Sequence, residues 1–235
     1  MSLNSEIKIS RVGDAIGAIT SHMRKHDLMP GDRLPSESDL AKELNMSRAT
    51  VREAFQSLAT MRIIDLATGK RATVAQIDHG ALSLMIEHGV HTDQINIQQI
   101  YDVRRTIETR IVTLAAIRRN ESEARDIVAL AEEMGANMKD SAKLMENDLA
   151  FHMALAKASG NPVYVLIVGA FQRITRQTWP IGWKIRTTQA QRDSMVATHL
   201  GIARAVQSGN PVDAAELMSQ HFDESVRVLL AAGMS

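Results

Sequence analysis

SESDLAKELNMSRATVREAFQSLATM, Ser36–Met61, is the stretch on which the fold turns. It reads as two short helices separated by a sharp turn. Ser36 caps the first, with Asp39 at the third helical position for a capping-box-like return. Asn45 and Met46 make the turn, and Ser47 caps a second helix entered at Arg48. Upstream, Val12, Ile16 and Ile19 give a helical stripe that ends at MPGDRLP, where Pro30, Gly31 and Pro35 break it. Downstream, RIIDLAT and RATVAQI are short runs separated by Gly69 and Lys70, and they read as a β-hairpin. Three helices followed by a hairpin predict a winged helix-turn-helix over residues 1–77.

From about residue 83 onward no further strand is expected. Helical stripes recur, with caps and stops at Asn120, Asp140, the SGNP at 159–162, Pro180 and a second SGNP at 208–211. The expected architecture is therefore mainly α: the front domain joined to an all-α antiparallel helical bundle over residues 78–235. Hydrophobic residues make up 45% of the 235 and charged residues 23%, ordinary for a soluble globular protein. With no cysteine, neither disulfides nor thiolate metal sites are available. Nothing at the amino terminus reads as a signal peptide, and the apolar run VYVLIVGAF, Val163–Phe171, is too short to span a bilayer. A cytoplasmic protein without a membrane partner is expected.

The formal net charge is zero. Residues 1–76 hold 11 Lys+Arg against 9 Asp+Glu, too small an excess to form a basic field. Any DNA contact has to come from placed side chains. A recognition helix enters the major groove by its amino-terminal end, where free N–H groups favour phosphate and short polar side chains reach base edges. Arg48 and Arg52, four apart, share a face of such a helix. Charge spacing alone would equally suit a solvated surface helix.

Met29–Leu66 resembles the DNA-binding domain of the GntR family of bacterial transcription regulators. The P-G-x-x-L-P-S-E, L-A-x-x-L, S-R-x-x-V-R-E-A and L-x-x-x-x-I/L words stand in order and spacing. The resemblance implies that Ser47, Arg48, Thr50 and Arg52 contact DNA from the recognition helix and Gly69 and Lys70 from the wing tip, with Arg33 of the first word beside them. Two positions depart from the pattern. Ser38 stands where many members have arginine, and the wing is TGKRATV rather than the G-R-G-T-F-V type.

The back half poses a different question. Leu144, Asp148, Phe151, His152 and Leu155 fall on one helical stripe, so an acid and an imidazole share a face with residues that belong in a core. The same spacing puts His199 with Val196, Leu200, Ala203 and Val206, and His221 with Ala214, Leu217, Met218 and Phe222. A lone inward histidine is more often a satisfied core residue than a ligand. A buried carboxylate, however, costs several kcal/mol unless something compensates it. Three imidazoles and one carboxylate suit a divalent transition metal, zinc first, then nickel or manganese, with coordination positions left open. Periodicity does not show that the helices converge.

IYDVRRTIETRIVTLAA, NDLAFHMALAKASGNP and THLGIARAVQSGNPVDAAELMSQHF resemble three signature segments of the FCD effector-binding domain of the FadR-type GntR branch. That resemblance implies that Asp148, His152, His199 and His221 hold the metal. It also implies that Arg104, in the V-R-x-x-x-E word with Glu108, contacts an effector carboxylate. An internal Arg104–Glu108 pair is the competing reading. Trp179 is placed as a pocket wall, although indoles also serve as plain packing.

The function expected from these residues is a DNA-binding transcription regulator, a repressor, working as a homodimer on double-stranded operator DNA. Its effector is a small carboxylate, a sugar acid or hydroxy acid, bound at the metal site. The alternatives are a metal-dependent enzyme acting on a small hydroxy acid and a regulator whose metal is purely structural.

Overall fold

The computed structural model describes residues 3–234. Its first helix, α1 (Leu3–Lys25), buries Ala15 and Ile19 completely. It is followed by α2 (Glu37–Glu43) and α3 (Arg48–Thr60). Ser36 starts α2 by accepting from the Asp39 N–H at 3.2 Å. The Asp39 carboxylate returns to the Ser36 hydroxyl at 2.6 Å rather than to a backbone N–H, so the expected capping box is closed through side chains. Ser47 starts α3, accepting from the Thr50 N–H at 3.1 Å. One face of α3, Val51, Ala54, Phe55 and Leu58, packs with Leu34, Leu40 and Ile64 as a small core.

The hairpin is shorter than its sequence runs suggest. Strands β1 (Ile64–Asp65) and β2 (Thr73–Val74) pair antiparallel in the register Ile64↔Val74 and Asp65↔Thr73. MPGDRLP also does more than break α1. Gly31 N–H donates to the Val74 carbonyl, Leu34 N–H to Ala72, and the Val74 N–H to Asp32, while Arg33 bridges Thr73. The stretch therefore lies along the second strand as a third edge. Gly31, at φ +93°, supplies a backbone conformation that other residues rarely adopt.

The remaining chain is helical: α4 (Gly80–His91), α5 (Ile97–Arg118), α6 (Glu121–Ala136), α7 (Ser141–Ala158), α8 (Pro162–Ile185), α9 (Gln189–Ser208) and α10 (Pro211–Ala231). Asn96, Asn120 and Thr188 open α5, α6 and α9 with reciprocal capping boxes. The two SGNP copies are one device used twice. Gly160 and Gly209 take left-handed conformations, Asn161 and Asn210 cap, and Pro162 and Pro211 occupy the first helical turn. Pro180 does not stop a helix as expected but lies inside α8. It sits on the exposed side of α8, while Ile174, Thr175, Thr178, Gly182 and Trp183 anchor the other side on both flanks of the proline.

By its contacts the chain divides into two compact units, Met1–Ala81 and Leu82–Ser235. In the second, α5 packs against α7, α8, α9 and α10, and α6 lies against α7 and α9. The core between them is largely apolar, but Arg104, Glu108, Asp148, His152, Thr175, Thr178, Arg186 and His199 are buried as well, with Ser83 and Ser159 as further buried polar side chains. Among the described residues no helix is long and apolar enough to cross a membrane.

Ile127 of α6 is fully enclosed far along the chain from these polar groups. Ile127→Ala is expected to cost about 2–5 kcal/mol through lost burial and the cavity left behind. Urea unfolding followed by circular dichroism measures this, and an unchanged midpoint would contradict the packing.

Candidate metal centre

The centre of this polar region is built by four helices that each turn one stripe inward. α7 supplies Asp148 and His152 one turn apart, α9 supplies His199, α10 supplies His221, and α5 supplies Glu108. The ligand atoms of His152, His199 and His221 lie within 4.8 Å of one another. Asp148 Oδ1 is 2.9 Å from His199 Nε2 and 4.0 Å from His152 Nε2. Phe151 stands edge-on to both His152 and His199 and closes the apolar floor.

The hydrogen bonds on the outer side of the rings decide what the inner side can do. His199 Nδ1 lies 2.8 Å from the Met195 carbonyl, which can only accept, so the proton sits on Nδ1. Its Nε2 lies 2.9 Å from Asp148 Oδ1, where it donates when it carries a proton and offers a lone pair when a cation takes that proton's place. His152 Nδ1 meets Glu108 Oε2 in a short contact, which likewise leaves Nε2 as the free donor atom. That Nε2 is buried and has no hydrogen-bond partner. Two ring nitrogens and a carboxylate oxygen thus face one point, where a proton or a cation has to stand between them. A cation at that point resolves all three, and the outer carbonyl and carboxylate are the partners that metal-ligating imidazoles ordinarily have. Three nitrogens and one oxygen suit zinc, nickel or manganese, so the residues present fit such an ion.

The charges agree. Arg104 is 5% exposed, and its Nε donates to Glu108 Oε1 at 2.9 Å while Nη1 donates to Thr175 Oγ1 at 3.0 Å. Burial alone would raise the Glu108 carboxyl, but His152 and Arg104 outweigh it and hold it below the ordinary range. Burial would also raise Asp148, yet the His199 hydrogen bond and the surrounding imidazoles bring it well below. Burial and the neighbouring His199 and His152 push the His221 imidazole well down. A neutral His221, half-buried, keeps its lone pair available. Glu108 compensates Arg104, which leaves Asp148 as the buried charge in need of a counterion.

Above the centre opens a small cavity of about 40 Å³. Arg104 and Trp179 both line it, with Tyr101, Thr178 and Trp183. Trp179 stacks on Trp183 with ring centroids 5.5 Å apart. Arg105, next to Arg104, turns instead to Asp223 at the surface, with contacts of 2.7 and 3.1 Å. Glu108 is the partner the sequence left ambiguous: it pairs with Arg104 and simultaneously orients His152. The i,i+4 spacing to Arg104 was visible, but the contact to α7 was not. A second cluster, His22, His26 and Glu43, has ligand atoms equally close. There His22 Nδ1 bonds Glu43 at 2.9 Å, the carboxylate is half exposed, and nothing buried lacks a partner, so no ion is required.

In the first unit the residues expected to touch DNA lie at the surface. Ser47, Arg48 and Arg52 are exposed at the start of α3, with Thr50 partly so. The Ser47 and Thr50 hydroxyls are 2.8 Å apart, and Arg52 Nε donates to Glu37 at 3.0 Å. Gly69 and Lys70 are exposed in the hairpin connection, and Arg33 is exposed on the edge beside Thr73.

Comparison with known proteins gives a consistent picture. Residues 99–224 match the FCD domain model, and residues 12–74 match that of bacterial regulatory proteins of the gntR family. The HTH-type transcriptional regulator LutR of Bacillus subtilis is 28% identical over 88% of this chain and 95% of its own. The galactonate operon transcriptional repressor of Escherichia coli is 29% identical over 78% of this chain and 79% of its own. The transcriptional repressor NanR of an Enterobacter species is 24% identical, covering 86% and 78%. Among solved structures, a GntR protein of Streptococcus agalactiae superposes with a TM-score of 0.68 at 23% identity, over 92% of this chain and 98% of that one, which supports the fold.

Removing the charge of Glu108 while keeping its shape tests its orienting role. Glu108→Gln is expected to weaken divalent-metal affinity by about 10–100-fold. Competition with a chromophoric chelator reads this directly, and parental affinity would show that His152 needs no carboxylate behind it.

Proposed function

We propose a trigger for a protein whose family is settled: the chain belongs to the FCD-domain family, with a gntR-family regulatory segment in front, and is a DNA-binding transcription regulator rather than an enzyme. The trigger is a small carboxylate, a sugar acid or hydroxy acid, received at the metal centre of the helical unit. One observation carries this reading. Buried Asp148 and the partnerless Nε2 of His152 converge with His199 and His221 beneath a cavity lined by Arg104.

Asp148, His152, His199 and His221 would hold the ion. A bound divalent cation would supply a Lewis-acidic position for a carboxylate and its neighbouring hydroxyl. Arg104, already fixed by Glu108 and Thr175, gives the guest's charge a rigid partner without having to be ordered on binding. Trp179 and Trp183 form a flat apolar wall for the carbon skeleton. One relative carries galactonate, a hydroxy acid, in the name of the operon it represses, which supports this class of effector. Zinc is the first choice of ion on donor set, with nickel or manganese next.

At the other end of the chain, Arg48 and Arg52 would read the major groove, with Ser47 and Thr50 at the helix start. Gly69, Lys70 and Arg33 would approach the backbone from the wing side. One recognition helix covers few base pairs, so the protein would act as a homodimer on a two-fold operator. Repression is the mode we assign, in line with relatives named as repressors. The effector acts through its different affinity for the DNA-competent and incompetent states.

Two substitutions separate the halves. Arg48→Ala should abolish specific binding to promoter DNA in a gel-shift assay with metal content unchanged; retained operator affinity would remove Arg48 from the interface. His199→Ala should lose metal by elemental analysis and, with it, any response of DNA binding to hydroxy acids. If the ion only stapled the bundle, that variant would melt early and the parent would bind no hydroxy acid in calorimetry.

A further inference from the structure

A buried arginine without an acid stands beside the cavity. Arg186, the residue that ends α8, is only 8% exposed. Its Nη1 donates to the Gly182 carbonyl at 3.1 Å, and among the described residues no carboxylate forms an ion pair with it. Glu224, whose charge reaches it, is instead bound to Arg227 at 2.7 Å. Arg104 provides the contrast. It is somewhat more deeply buried, yet Glu108 neutralises it and Thr175 takes another of its donors. A guanidinium taken out of water without a counter-charge carries a desolvation cost. One carbonyl does not use up a five-donor fork.

The position of Arg186 indicates what the missing partner is. Arg186, Met195 and His221 line both the inner cavity and an outer groove whose other charged residues, Asp223, Glu224 and Arg227, are held in ion pairs, Asp223 with Arg105 and Glu224 with Arg227. Residues common to both spaces form the threshold between the metal centre and solvent. A guest anchored at the centre with its far end toward the groove passes Arg186. The charges point the same way. Glu108 cancels Arg104, and Asp148 cancels one charge of a divalent ion, which leaves one positive charge on the ion and one on Arg186. A monoanion compensates only one of them.

We propose that Arg186 is a second anion anchor at the cavity threshold, so that the effector is a doubly acidic hydroxy acid with a terminal oxyanion on the guanidinium and its hydroxy-acid end at the metal. This rests on the metal-centred reading above. A planar guanidinium fork pairs with a carboxylate or a phosphate in the same two-bond geometry, so either terminal group satisfies the chemistry.

Two matched sets of acids test this on metal-loaded, full-length protein by calorimetry. One set is gluconate, glucarate and 6-phosphogluconate; the other is glycerate, tartronate and 3-phosphoglycerate. Within each set the carbon skeleton is constant and only the terminal group gains charge. In at least one set a doubly acidic member should bind about tenfold or more tightly than its monoacid, as a charged hydrogen bond implies. Preference for the diacid or for the phosphate identifies the terminal group. Arg186→Gln keeps a donor for the Gly182 carbonyl and removes the charge, and it should bring that ratio to about one; Arg186→Lys should restore part of it. Monoacids that bind as well as their doubly charged counterparts would overturn the proposal while leaving the hydroxy-acid trigger standing. An unchanged ratio in Arg186→Gln would do the same. If none of the six binds, the trigger itself fails and this inference with it.

Discussion

The back unit is organised around the carboxylate of Asp148. It lies 5% exposed inside a helical bundle, and Arg104 close by is already committed to Glu108. Water cannot stabilise it there, so the protein has to bring compensation from other parts of the chain. His152 comes from the same helix, His199 and His221 from two later ones, and Glu108 from an earlier one to set the angle of the first ring. A single ionised group thereby ties α5, α7, α9 and α10 to one point. Because close-packed interiors switch between discrete arrangements rather than deform smoothly, a guest that alters this point acts on all four helices together.

The front unit follows the opposite rule. The residues expected to touch DNA are exposed or partly exposed, and its core is small and apolar but for the buried His22. What matters there is presentation. Ser47 fixes the start of α3, and the pairing of MPGDRLP with the second strand ties the approach to α2 to the hairpin. Arg52 is held by Glu37, whereas Arg48 forms no ion pair among the described residues, so the two arginines on one face are not equally free to reach a partner.

Much of this was legible in the sequence, for identifiable reasons. Helix starts were readable because Ser36, Ser47, Asn120, Asp140 and the SGNP asparagines bond the first turn by short-range geometry that depends on nothing distant. Pro180 was misjudged because a breaker rule knows nothing of exposure, and a proline on the solvent side of a well-anchored helix is tolerated. The stripes put Asp148, His152, His199 and His221 on inward faces, since period alone fixes a face. Period does not fix how the faces of separate helices are aimed at one another, so their meeting needed coordinates. The same limit hid the contact of Glu108 with His152. Arg186 was beyond reach for another reason: it ends a helix, where the side chain no longer follows the helical period.

The two ring-orienting partners of the centre differ in kind. Glu108 is a side chain, and few residues could take its place behind His152. The acceptor behind His199 is the backbone carbonyl of residue 195, which every amino acid possesses. Drift at position 195 can alter the size and polarity of the cavity wall without unseating the imidazole beside it. The rim of the pocket thus has a site of tolerance, where the wall can change shape while the orientation of the His199 ring is kept.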